Sequence, residues 1–146
     1  MYRRTLLAAA AGTMGATAGC LNRMPFVGSS VDPSFERVSA DLAHDEDPQV
    51  SVDDGTVTVR GTVEHGSSEC GTVDLAHAAY ERSQARLDLL VVAADDGSGF
   101  GGCTDDLVHA GYRLEVDAPD GLRRVSATEH HVFGDTYSTT VDGLDR

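Results

Sequence analysis

The feature that most constrains the fold of this chain is a strict alternation of apolar and polar residues over Val108–Val116. Side chains of an extended strand point to opposite faces in turn, so this segment presents one apolar face to a core. The same period recurs over Thr56–Glu64, where Val57, Val59 and Val63 share one face. A period of two predicts half-buried strands rather than amphipathic helices.

Turn signals recur about every ten residues between such segments. Asp53-Asp54-Gly55 and Ala118-Pro119-Asp120-Gly121 are typical of tight turns. Further strands are predicted at 37–42, 49–52, 87–94, 123–133 and 136–141. This organisation favours an all-β fold, either an antiparallel, immunoglobulin-like β-sandwich or a small barrel, with about six to eight strands.

One segment, Asp74 to Arg86, is ambiguous because it is rich in alanine and compatible with a short helix. We favour a strand over Thr72–Tyr80 that turns at residues 81–85 into the next strand.

The first nineteen residues have the composition of an export signal. Arg3 and Arg4 precede a short, alanine-rich apolar stretch that ends in Thr17-Ala18-Gly19-Cys20. The stretch is shorter than the about 20 apolar residues of a spanning helix. It resembles a twin-arginine signal ending in a lipobox, which implies export and attachment of a lipid to the Cys20 thiol. We therefore expect a signal peptide over 1–19, an anchor and linker over 20–33, and a β-sandwich domain over 34–146.

The charge balance is strongly acidic, with 24 Asp and Glu against 11 basic residues, all of them Arg. Without Arg3 and Arg4, the exported part has 9 Arg against 24 acidic residues, a net charge of −15. Such a chain repels nucleic acid at low salt, so no nucleic-acid partner is expected. In multimolar salt the screening length falls to about 3 Å, and like charges hardly repel. The lysine-free composition resembles that of proteins from extreme halophiles.

The three cysteines are Cys20, Cys70 and Cys103. If Cys20 takes a lipid, two remain, and outside the cytoplasm an even pair favours a Cys70–Cys103 disulfide. The alternative is two free thiols that bind a metal ion together with histidines.

A glycine-rich loop after the 87–94 strand contains G-x-G-x-x-G over residues 97–102. The next strand follows too soon for the helix that a dinucleotide site requires. Asp95-Asp96 and Asp105-Asp106 bracket this loop, and carboxylate pairs are compatible with a calcium site. Their spacing does not match an EF-hand, and a solvated acidic surface is the favoured interpretation.

The histidines are scattered, and we expect them at ordinary polar strand positions. Adjacent His130 and His131 should point to opposite faces of a strand. The chain has neither an H-E-x-x-H nor a G-x-S-x-G motif. We therefore assign no catalytic, cofactor-binding or metal-binding residue and expect no cofactor. The six histidines are His44, His65, His77, His109, His130 and His131.

Along its whole length the chain resembles small, twin-arginine-exported lipoproteins of halophilic archaea with no assigned function. Besides the signal, the pattern comprises Cys70 ahead of Leu75 and Tyr80, the apolar strand over Leu89–Ala94, Cys103-Thr104, and the strand over Val108–Val116. The resemblance implies a domain held by a lipid on Cys20 at the outer face of the cell membrane. We expect a non-catalytic binding or structural module of the envelope, with an envelope protein or a small ligand as its partner. The alternatives are an extracellular hydrolase and a metal-binding protein whose site forms only on folding.

Overall fold

The computed structural model describes residues 28–95 and 102–144, which form nine β-strands and no helix. The all-β prediction is therefore confirmed. The described residues accordingly include no helix that could cross a membrane. Arg3, Arg4, Cys20 and most of the glycine-rich loop lie outside them. The strands are β1 (Gly28–Ser30), β2 (Ser34–Val38), β3 (Gln49–Asp53), β4 (Thr56–Gly66), β5 (Gly71–Glu81), β6 (Arg86–Asp95), β7 (Leu107–Asp117), β8 (Arg124–His130) and β9 (Thr136–Val141).

The strands form two sheets packed face to face, a sandwich rather than a closed barrel. The five-stranded sheet has the order β1-β5-β6-β8-β9, and the four-stranded sheet has the order β2-β7-β4-β3. The neighbouring strands are antiparallel except β6 and β8. These two run parallel, with β7 of the opposite sheet between them in the chain.

The ambiguous alanine-rich segment is a strand, as favoured from the sequence. β5 pairs with β6 through a tight connection after Glu81, and a register shift lies between Leu75 and His77. β6 pairs along the length of this strand and β1 pairs with its last three residues, and this pairing outweighs its weak strand propensity. The short β1 lies in the segment predicted as linker and brings the strands to nine instead of six to eight.

The predicted strand at 37–42 is wrong beyond Val38, where β2 ends. The following segment, residues 39–48, leaves the sheet and crosses the outer face of the four-stranded sheet. Gly111 permits this close crossing, since a Cβ there would lie 2.6 Å from the carbonyl oxygen of Ser39. The crossing brings His44 over the outer face of β4 and β7.

The core lies between the sheets and consists of the inward positions that the alternation predicts. Val57, Val59 and Val63 of β4 are fully buried, as are Leu114 of β7 and Leu87 of β6. Two polar residues, His65 of β4 and Glu129 of β8, break the pattern at inward positions. Glu129 of β8 is 0% exposed and points into the same interior.

The predicted Cys70–Cys103 disulfide is present, with 5.6 Å between the two Cα atoms. Cys70 ends the connection from β4 to β5, and Cys103 lies in the connection from β6 to β7. Hydrogen bonds join the same two connections, because the Ser67 and Ser68 N–H groups donate to the backbone carbonyl and the carboxylate of Asp106. The bridge therefore links both passages between the sheets at one end of the sandwich.

Candidate functional site

Two strands of the four-stranded sheet place a glutamate and a histidine side by side. Glu64 of β4 and His109 of β7 are direct partners across an antiparallel pair, and their flanking residues Val63 and Ala110 point into the core. Directly opposed side chains have Cβ atoms only about 5 Å apart. On the outer face, His109 Nε2 lies 2.9 Å from Glu64 Oε2.

A third side chain reaches the pair from the crossing segment 39–48. The His44 ring stacks on the His109 ring, with 4.0 Å between centroids and 17° between planes. His44 Nε2 lies 3.8 Å from the same Glu64 Oε2. The possible ligand atoms of His44, Glu64 and His109 all lie within 4.8 Å of one another. We call these three residues the histidine–glutamate cluster.

Hydrogen bonds with the turn after β8, a strand of the opposite sheet, fix the backbone of Glu64. β3 pairs with β4 only as far as Arg60, so Glu64 has no strand neighbour on that side. The turn after β8 fills the gap. The Glu64 N–H donates to His131 Nδ1 at 3.1 Å, and the Glu64 carbonyl accepts from the Val132 N–H at 3.0 Å.

A buried hydrogen-bonded network lies behind this turn. Tyr112 Oη donates to Glu129 Oε1 at 2.7 Å, and His131 Nε2 lies 3.3 Å from Glu129 Oε2. Since His131 Nδ1 accepts the Glu64 N–H, it holds no proton, and a neutral ring carries its proton on Nε2. His131 therefore donates to Glu129. Both carboxylate oxygens have a partner inside the core, as a buried polar group requires.

Burial dominates the acid–base properties of this network. It raises the pKa of the Glu129 carboxyl to about 7, although the hydrogen bond from Tyr112 acts in the opposite direction. Burial also lowers the pKa of His131 and raises that of Tyr112. Each shift disfavours the charged form of the group. Because Glu129 is 0% exposed, the network acts within the core rather than on a ligand in solution.

The raised pKa of Glu129 predicts a specific pH dependence. The folded chain retains a proton between pH 4.5 and about 7 that the unfolded chain releases. This retained proton stabilises the folded chain. Its contribution to the free energy of unfolding is complete below about pH 4.5 and is lost as pH rises through about 7. Glu129→Gln keeps a neutral side chain of the same shape. From about pH 5 to about pH 8, the stability of the wild type relative to Glu129→Gln should fall by about 2 kcal/mol.

Urea unfolding at constant multimolar salt, followed by circular dichroism, measures this difference. Glu36→Gln is the matched control, since Glu36 is exposed on β2. Its stability relative to the wild type should not change with pH over the same range. A constant difference between the wild type and Glu129→Gln would contradict the assignment.

Acidic side chains lie around Tyr137 of β9, and Glu64 of the histidine–glutamate cluster is one of them. The pKa of Tyr137 on β9 is raised by burial and by the negative charges of Asp135, Asp45, Glu64 and Asp47. These carboxylates come from the crossing segment, from β4 and from the turn between β8 and β9. The potential at the cluster is therefore negative, which attracts cations.

The other histidines occupy different environments. His130 ends β8 and is exposed, whereas His131 lies just beyond the strand and is buried. His77 is exposed on β5 of the other sheet. His65 is buried, with Nδ1 2.8 Å from the Gly66 carbonyl oxygen. The expectation of ordinary polar positions is thus wrong for His65 and His131.

The acidic residues of the glycine-rich loop are only partly described. The Asp106 carboxylate accepts the Ser68 N–H at 2.9 Å. Hydrogen bonds from Ser68 and Thr104 hold the pKa of Asp106 well below its usual range. Asp96 and residues 97–101 of the G-x-G-x-x-G segment lie outside the described residues.

Sequence reasoning missed the histidine–glutamate cluster. The alternation does put Glu64 and His109 on outward faces, but it does not reveal that they are cross-strand partners 45 residues apart. His44 lies in a segment of irregular structure, where no periodicity reports its direction. Within residues 28–95 and 102–144, this cluster is the one group of three His, Cys, Asp or Glu residues whose ligand atoms lie close enough together to hold a metal ion.

No protein-family model, curated protein or solved structure matches this chain. The case for a function therefore rests on the geometry of its own site. Two imidazoles and one carboxylate that share a solvent-facing position can hold a cation or hydrogen-bond a polar ligand.

Proposed function

We propose that this chain is an extracytoplasmic lipoprotein, anchored to the outer face of the cell membrane, whose β-sandwich domain is a non-catalytic binding module. The observation that carries the proposal is the Cys70–Cys103 disulfide. Disulfides persist in oxidising compartments and are rare in the cytosol. The bridge also uses two of the three cysteines of the sequence, and the third, Cys20, stands at the end of the export-signal pattern.

The N-terminal sequence supports the anchor. Arg3 and Arg4 before a short apolar stretch resemble a twin-arginine signal, and small residues precede Cys20 as in a lipobox. A lipid with two chains on that thiol holds a protein stably at a membrane, whereas one chain does not. Residues 21–27 would then connect the anchor to β1, the first strand of the domain.

The outer face of the four-stranded sheet supports a binding role. The histidine–glutamate cluster is open to solvent. Two of its three residues, Glu64 and His109, lie on strands, where a site is held more precisely than on loops. The net charge of −15 disfavours nucleic acid and favours cationic ligands. Metal binding, the alternative considered from the sequence, is the specific form of this role that the cluster favours.

Replacing Cys20 by serine should release the protein from the membrane. In a halophilic archaeal host, we expect the wild type in the membrane fraction and soluble only in detergent. The Cys20→Ser variant should appear in the medium, because it lacks the nucleophile that accepts the lipid. Fractionation, immunoblotting and the intact mass of the N-terminal peptide measure the outcome.

Two further variants separate the parts of the proposal. Arg3→Lys with Arg4→Lys should leave the uncleaved precursor inside the cell, while Cys70→Ser with Cys103→Ser should still carry the lipid. Retention of Cys20→Ser in the membrane fraction would refute the anchor. An uncleaved wild-type chain in the cytoplasm would refute export.

A further inference from the structure

We infer that the histidine–glutamate cluster binds a divalent transition metal ion of the zinc class through His44 Nε2, Glu64 Oε2 and His109 Nε2. The inference rests on the proposed binding role and names its ligand. It concerns three side chains that come from a crossing segment and two strands.

The distances suit one small ion. Ligand atoms about 2.0–2.1 Å from a tetrahedral zinc lie about 3.3 Å from one another. In the cluster, Glu64 Oε2 lies 2.9 Å from one imidazole nitrogen and 3.8 Å from the other. The ligand atoms of the third pair, His44 and His109, lie within 4.8 Å of each other. Because the two rings are stacked, they have to turn on binding so that each nitrogen lone pair points at the ion.

The ligand types select the class of ion. Calcium and magnesium take oxygen ligands, whereas imidazole suits zinc, copper, nickel and iron. The cluster contributes two nitrogens and one oxygen, and two histidines with a glutamate are a known ligand set of zinc. We therefore expect zinc-class ions to bind in preference to magnesium and calcium.

The surroundings hold the ligands in place. Hydrogen bonds with His131 and Val132 fix the Glu64 backbone on the side away from β7, which positions its side chain. The His44 ring rests on the His109 ring, so both Nε2 atoms lie near the same carboxylate oxygen. The carboxylates of Asp45 and Asp135 add negative potential near this face.

Exposure of the cluster predicts an exchangeable ion rather than a structural one. Structural zinc sites are closed by four protein ligands, whereas open sites have three protein ligands and a water. The side chains of His44 and His109 are 39% and 46% exposed, which leaves the remaining coordination positions to solvent. The core of the sandwich does not include these residues, so the domain should fold without the ion.

The test uses the full chain in detergent at constant multimolar salt and near-neutral pH, purified without a histidine tag. Zinc is titrated in competition with a chromogenic chelator, and magnesium and calcium are titrated in parallel. We expect one zinc per chain. His44→Ala, His109→Ala and Glu64→Gln should each weaken zinc binding at least tenfold.

His77→Ala is the matched control, because it removes an exposed histidine from the other sheet and should leave zinc affinity unchanged. Circular dichroism confirms that each variant is folded, and Glu64→Gln preserves the shape of its side chain. Absence of stoichiometric zinc binding would overturn the inference, as would equal affinity in all variants or a preference for calcium. Membrane anchoring through Cys20 is measured separately, so failure of the zinc site leaves that result intact.

Discussion

A Gly61→Ala variant is expected to lose about 3 kcal/mol of its free energy of unfolding. Gly61 faces the core opposite the buried network. A Cβ at this position would lie 1.8 Å from Glu129 Oε1 and 2.8 Å from Tyr112 Oη. The carboxylate has to move, which breaks its 2.7 Å hydrogen bond to Tyr112 in a site without water access. Overpacking and an unsatisfied buried group each cost about 1–3 kcal/mol.

Gly66→Ala is the matched control, since it is the same substitution on the same strand. The nearest atom to a Cβ on Gly66 is Val132 Cγ2 at 3.7 Å, an ordinary van der Waals contact. We expect its stability to remain within about 0.5 kcal/mol of the wild type in urea unfolding.

A double variant tests the cause of the loss. Gly61→Ala combined with Glu129→Ala removes the group that the new methyl would strike. Its destabilisation should be well below the sum of the two single effects, because the sites are in contact. Additive losses, or equal losses for Gly61→Ala and Gly66→Ala, would show that the carboxylate does not occupy this position.

The alternation that predicts the sandwich also contained the signal for this network. Glu129 lies two and four residues from Ala127 and Val125, so strand parity puts it on their inward face. Gly61 has the same parity as Val59 and Val63. A carboxylate and a glycine at inward positions could have been noticed from the sequence. Their pairing with Tyr112 could not, because it depends on which strands face each other across the sandwich.

The histidine–glutamate cluster shows the other limit of sequence reasoning. Local patterns specify which face a strand residue occupies, but not the register between two strands that are distant in the sequence. Glu64 and His109 are 45 residues apart and are nevertheless direct partners. His44 depends on a crossing that Gly111 permits, and no periodicity encodes this crossing. The fold class follows from residue patterns, whereas the candidate site arises from long-range pairing.

Cys70→Ser with Cys103→Ser is expected to lower the free energy of unfolding by about 3–4 kcal/mol. The two cysteines are 33 residues apart, and the bridge closes a loop that contains the β5–β6 pair. In the chain-entropy model, this loop restricts the unfolded chain, and its release makes unfolding more favourable. Urea unfolding at constant salt, with and without reductant, measures the effect. Reductant should bring the wild type to the stability of the variant and leave the variant unchanged.

The loss should appear in the unfolding equilibrium and not in the folded structure. Hydrogen bonds from Ser67 and Ser68 to Asp106 join the same two connections without the bridge. They adjoin the pair Gly66 and Leu107, two positions along the sheet from Glu64 and His109. The folded variant should therefore keep its circular dichroism spectrum and still bind one zinc. A stability change below about 1 kcal/mol would show that the bridge does not restrict the unfolded chain as the model requires. Loss of zinc binding by the folded variant would show that the register of β4 and β7 depends on the disulfide.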